Sequence, residues 1–257
     1  MKTRTSILFL FAASLLIMAS CGKSAFRIKG NGNVASETRA LAVFNKVENE
    51  GAFDVYIMQD SISEVIIEAE SNLIGYIRTE VQGNTLSIYT KENLKTHYPI
   101  KLYIRTPDVN SVRLSGSGLI NLGTINTDNL EVVLSGSGDI TGTVFADYTE
   151  VGINGSGTAN MSLNAAEVQT SISGSGDMYF SGEAVTAHFG ISGSGSIRAY
   201  NLVLQNCYAD ISGSGDMFVN VSELLDVKIS GSGSVHYIGY PEIQTNISGS
   251  GSVISAN

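Results

Sequence analysis

The chain has 257 residues, enough for one large all-β domain or two small ones, with 28 glycines, 3 prolines and only 15% charged residues. Glycine runs well above its usual share of roughly 7% while charge runs low, which excludes a collagen-like chain, a proline-rich linker and a charge-rich disordered protein. The formal net charge is −9. Without residues 1–20, which carry Lys2 and Arg4 but no acid, 13 basic groups face 24 acidic ones and the net is −11. Such a chain repels phosphate backbones, so nucleic acid is not an expected partner.

The first segment reads as an address. Lys2 and Arg4 precede an apolar run, Ile7 to Met18, short for a bilayer span, and Ala19-Ser20-Cys21 comes next. The arrangement resembles a bacterial lipoprotein signal, in which the cysteine is lipidated and becomes the mature N-terminus. Met18 stands where leucine is usual, and an ordinary secretory signal is the alternative. Residues 1–20 are thus expected to be a lipoprotein signal peptide, 21–23 the lipid anchor at Cys21 with a short tether, and 24–257 a single head domain. Two lipid chains make a stable anchor, so the membrane is an expected partner through the N-terminus. Cys207 is the only other thiol, and with Cys21 lipidated no intramolecular disulfide can form.

Strand patterns begin at Ile28. Ile28-Lys29-Gly30-Asn31-Gly32-Asn33-Val34 and Glu50-Gly51-Ala52-Phe53-Asp54-Val55 are weak copies of a unit that becomes regular later. Alternating runs Val65-Ile67, Leu86-Ile88 and Ile100-Leu102-Ile104 fill the interval. The stretch from Glu50 to Ser115 is expected to hold three coils, a little longer and less regular than the later ones, with room for hairpins.

From Ser115 the repeat is explicit. Ser-Gly-Ser-Gly tetrads begin at Ser115, Ser135, Ser173, Ser192, Ser212, Ser230 and Ser248, with Asn154-Gly155-Ser156-Gly157 as a variant. The steps between successive starts are 20, 19, 19, 19, 20, 18 and 18. A period near 19 signals a solenoid, whereas helical repeats need about 33 residues or more. With the first tetrad residue at zero, position −1 is always Leu or Ile (Leu114, Leu134, Ile153 and onward to Ile247). Position +5 is apolar from Ile120 to Val253. Alternate residues of a strand share a face, so the odd positions, both tetrad glycines included, point inward and the serines outward. The fold class predicted is all-β: a parallel β-helix with coils of about 18–20 residues and a less regular N-terminal third.

Taken together, the lipobox, Gly-Asn-Gly-Asn-Val at Gly30, Gly-Ala-Phe-Asp-Val at Gly51 and the tandem Ser-Gly-Ser-Gly-Asp-Ile units resemble the head-GIN-domain family. These are autotransporter-adhesin-like bacterial envelope proteins common in Bacteroidetes. The resemblance spans nearly the whole mature chain. It implies a β-helical fold and a cell-envelope setting, outer membrane or periplasm-facing, and it carries over no catalytic residue. No translocation barrel is read after the last tetrad.

Enzyme signatures are poor. Neither Gly-x-Ser-x-Gly nor Gly-x-Gly-x-x-Gly occurs. His97, His188 and His236 are far apart in sequence and read as surface residues. Asp139, Asp177 and Asp216 share position +4 but fall on alternate coils, about 10 Å apart, too far to share a calcium with ligands at about 2.4 Å. They read as turn residues. Cys207, at −5, reads as a small core residue. No cofactor or metal is expected.

Position +6 is outward by parity, and four consecutive coils place Tyr179, Arg198, Phe218 and His236 there, with Tyr200 and Ile238 two residues along. Exposed aromatics with arginine supply most of the energy at binding surfaces, so these six form the candidate binding strip, for a glycan or a surface protein. The function expected is a non-catalytic, lipid-anchored, adhesin-like envelope module. The alternatives are a structural module that associates end to end with its own kind, or a polysaccharide-degrading β-helix enzyme.

Overall fold

The computed structural model describes residues 27–257; the expected signal peptide, residues 1–20, and the expected lipidation position Cys21 lie outside the described residues. The strands are β1 (Arg27–Lys29), β2 (Val34–Ala40), β3 (Lys46–Asn49), β4 (Asp54–Gln59), β5 (Glu64–Glu70), β6 (Arg78–Gln82), β7 (Thr85–Tyr89), β8 (Asn93–Lys95), β9 (Lys101–Thr106) and β10 (Ser111–Leu114). There follow β11 (Leu119–Asn126), β12 (Asn129–Leu134), β13 (Asp139–Gly155), β14 (Thr158–Gly174), β15 (Asp177–Gly193), β16 (Ser196–Gly213), β17 (Asp216–Gly231), β18 (Ser234–Ile238), β19 (Glu242–Gly249) and β20 (Ser252–Ser255). Among the described residues the only helical turn is the 3-10 segment Ile74–Tyr76.

The parallel β-helix is what the period predicts. Asp139 pairs with Thr158 and Gly155 with Gly174, in parallel register throughout. A strand as long as β13 would span roughly 56 Å if straight. Its chain must instead come round to one inter-strand spacing from its start, so each strand bends through a full coil. The longer coils absorb their extra length in bulges. One interrupts the β11–β13 ladder after Asn121; another follows Tyr179 in the β15–β16 ladder, opposite Arg198–Asn201.

The core lies where the parity puts it. Every −1 residue from Leu114 to Ile229 and every +5 residue from Ile120 to Val235 is buried. The tetrad serines of the regular coils are exposed. The glycines are demanded from below rather than across the corner. A Cβ on Gly193, whose φ is +140°, would overlap the carbonyl oxygen of Gly174 in the preceding coil, and one on Gly195 would overlap that of Gly176.

The N-terminal third departs from the expected three successive coils. The Ser115 N–H donates to the Asn49 carbonyl (2.9 Å), so the first tetrad sits directly on the Glu50 segment. Below that segment, β7 pairs with β3 and β9 with β4, forming one coil. Antiparallel β6 then pairs with β7, β5 with β9, and β2 with β5. The Ile28 copy of the repeat joins no main coil: β1 pairs with β8 in a separate two-stranded sheet. Alternation fixes which face is inward and says nothing about which strand lies alongside. The short loop Gly83-Asn84, with Gly83 at φ +59°, reverses the chain between β6 and β7.

These antiparallel strands and the 3-10 turn close the N-terminal end of the stack, with Leu73, Ile74 and Ile77 buried in it. At the other end Ile243 and Ile247 are 39% and 40% exposed, whereas Leu225 and Ile229, one coil earlier, are 0% and 2%.

Candidate functional site

The parallel register converts one sequence position into a column. Tyr179, Arg198, Phe218 and His236 pair in that order across β15 to β18. The structure therefore brings four of the six candidate strip residues into one outward row. The Arg198 guanidinium lies between two rings, 5.4 Å from the Tyr179 centroid and 5.7 Å from that of Phe218, and its Nη1 donates to the Tyr179 hydroxyl at 3.2 Å. Phe218 in turn stacks on His236, centroids 4.9 Å apart and planes 12° from parallel.

Tyr200 joins the row by a different route. It sits within the irregular stretch of β16, where the register with β17 shifts, and meets Phe218 edge-on at 5.5 Å and 79°. Partial burial raises the pKa of its phenol. Ile238 stands opposite Asn220, whose amide donates to the Tyr200 carbonyl, and lies at the margin of the row. Beside the row runs a groove of about 520 Å³ walled by Tyr179, Arg198, Tyr200 and Phe218, with Ser181 and Asn201 on its lining. Much of the ring-face area in this row is turned toward neighbours along the ladder. A ligand in the groove meets ring edges, the Tyr179 hydroxyl and the exposed guanidinium.

Two further aromatics belong to the same column. Tyr56 pairs with Asn121, which leads through Thr141 and Asn160 to Tyr179, and Tyr103 stacks on Tyr56 at 5.2 Å. Tyr56 stands at +6 of the Glu50 copy, so its place was available to the same parity argument. Tyr103 was not, because β9 reaches the column out of chain order.

The remaining candidates have structural explanations. The Ser196 hydroxyl donates to Asp177, and the Ser234 N–H donates to Asp216 Oδ1 at 2.9 Å, tying two of the three +4 aspartates to the coil above. Cys207 is fully buried, and burial pushes its thiol up to about 12. His188 is exposed and His236 half-buried, whereas the His97 ring bonds to the buried Glu70 carboxylate at 2.8 Å. Among the described residues no three His, Cys, Asp or Glu side chains gather as a metal site, and no helix is long and apolar enough to cross a membrane.

A family model described as "Putative auto-transporter adhesin, head GIN domain" matches residues 43–149 and again 141–241. No curated protein matches the chain. Among solved structures, a "putative lipid binding protein" of Parabacteroides distasonis is similar at 28% identity and a TM-score of 0.85, over 90% of this chain and all of that one. A "putative adhesin" of Parabacteroides merdae shares the fold at 22% identity and a TM-score of 0.84, over 90% of this chain and 99% of that one. Another, of Bacteroides fragilis, does so at 24% identity and a TM-score of 0.70, over 89% and 99%.

Proposed function

The chain belongs to the head GIN domain family of adhesin-like proteins, and from that premise we propose that it is a non-catalytic binding module of the bacterial cell envelope. Lipid on Cys21 holds it at a membrane, and the row of Tyr179, Arg198, Phe218 and His236, with Tyr200 beside it, contacts a glycan or surface protein. The observation that carries this reading is the column itself. Four aromatic or cationic side chains in register, spaced roughly 4.8 Å apart, form a stiff outward rib on a solenoid wall.

Rigid presentation matters because ordering a mobile side chain on binding costs about 0.5–1.5 kcal/mol. Here Arg198 is already held between two rings. The test is the double variant Tyr179→Ser with Phe218→Ser, applied to an immobilised array of glycans and matrix proteins. Array binding should fall at least about tenfold, or roughly 1.4 kcal/mol, with an ordinary cooperative melt. Unchanged binding by a normally folded double variant would rule the row out.

A further inference from the structure

The flank of each coil that precedes the tetrad carries a second trough. His188 and Tyr208 stand outward on neighbouring coils, rings 4.7 Å apart and 6° from parallel, in a ladder that runs Gln169, His188, Tyr208, Asp226. Alongside it runs another: Gly152, Ser171, Gly190, Asp210, Lys228. The space over Gly190 amounts to about 480 Å³, and Glu167, Asp210, Asp226 and Lys228 line it together with the two rings.

Gly190 answers no need of the fold. Its φ lies outside the left-handed region, and a Cβ there would meet only the Thr170 carbonyl oxygen, at 3.4 Å. Gly152 is as free, with Ser171 Oγ at 3.5 Å the nearest atom. The tetrad glycines differ, since a Cβ on any of them would overlap the coil beneath. Glycine inside a strand weakens it, and where neither crowding nor conformation requires it, it marks a surface that something approaches closely. Around Gly190 most of the polar groups are unspent, although Gln169 Oε1 already accepts from the Tyr148 hydroxyl at 3.0 Å. Among the described residues, the side chains of Tyr208, Asp210, Asp226 and Lys228 make no hydrogen bond or ion pair, and His188 reaches only Glu167, at 3.8 Å.

We propose that this trough binds a neutral oligosaccharide. The lining runs from Gln169 on β14 to Asp226 and Lys228 on β17, three coil steps or about 14 Å, room for a short run of sugar rings that lies against the bare backbone at Gly190. Sugar hydroxyls both donate and accept, which suits a rim of carboxylates on one hand and Lys228, His188, Tyr208 and the Gln169 amide N–H on the other. A sulfated or uronic polymer would meet three carboxylates against one lysine, on a chain whose net charge is already −9. The site goes beyond the proposed binding row, which lies on the other side of the tetrad corner.

Affinity electrophoresis of the full chain in detergent, through gels containing dextran, mannan, xylan or heparin, tests the proposal. At least one neutral polysaccharide should retard the protein while heparin does not. Gly190→Thr places a strand-favouring side chain on the floor; it should weaken the retardation at least tenfold with the melting temperature unchanged or raised. Asp210→Asn and Tyr208→Ala, both at exposed positions, should weaken it without altering the melt. The proposal is overturned if no neutral gel retards the protein, if heparin alone retards it, or if all three variants run like the parent. Binding by the Tyr179–Phe218 row is read on the separate array, so either idea can fail alone.

Discussion

A tetrad glycine and the serine beside it look alike in composition and do opposite things. Gly193 sits at φ +140° against the Gly174 carbonyl, whereas Ser194 is exposed. Gly193→Val combines backbone strain with overpacking, each about 1–3 kcal/mol, and should cost about 2–6 kcal/mol. Ser194→Val should stay within about 0.5 kcal/mol. Thermal or denaturant melts of the two variants measure the difference, and equal tolerance would contradict the inward-glycine geometry. This distinction was legible in the sequence because parity alone separates the two residues. The Tyr200 contact was not, since the bulge that places its ring against Phe218 follows from where a longer coil stores its extra length.

The N-terminal strands show where such reading runs out. Val65-Ile67, Leu86-Ile88 and Leu102-Ile104 lie in strands with the faces the alternation gives them, and Ile100 is buried just ahead of β9. Their order in space follows from long-range pairing that no local pattern records. Glu70 anchors this end: its buried carboxylate accepts from the N–H of Gly32 (2.6 Å), the N–H of His97 (2.8 Å) and the His97 ring. Burial pushes the Glu70 carboxyl up, but those donors outweigh it and hold the pKa below the usual carboxylate range. A group with a lowered folded pKa stabilises the fold above its unfolded value, near 4.5, and loses that contribution as pH falls through the folded one. Glu70→Gln should therefore melt below the parent at neutral pH, with the gap closing on acidification below about pH 4.5. Paired melts across that range measure it; a gap independent of pH would show that the carboxylate charge is not what holds the end.

Across the whole molecule the two ends of the stack differ. One is closed by antiparallel strands, while the last coil leaves Ile243 and Ile247 open beside β19 and β20, which among the described residues pair on one side only. Such edges are templates for another chain, so residues 27–257 are expected to associate end to end through this face. Sedimentation should show a concentration-dependent dimer that Ile247→Lys abolishes, and a monomer at every concentration would exclude the contact. The β-helix was readable from period and parity because each regular coil repeats the same local instructions. The aromatic column was half readable, with its regular coils in the pattern and Tyr103 delivered by a strand from elsewhere.

The interleaving of the first coils also sets a timetable for a chain that emerges N-terminus first. When β3 and β4 appear, neither of their ladder neighbours exists yet: those below come from residues 85–106 and those above from 111–126. The opening step must therefore close long loops before any ladder can reward it. Every later coil finds its template already standing and adds in sequence. A slow start followed by quick serial growth makes the segment up to β11 the pacemaker. A substitution there delays everything downstream, whereas the same lesion in a late tetrad halts growth with the earlier coils already built.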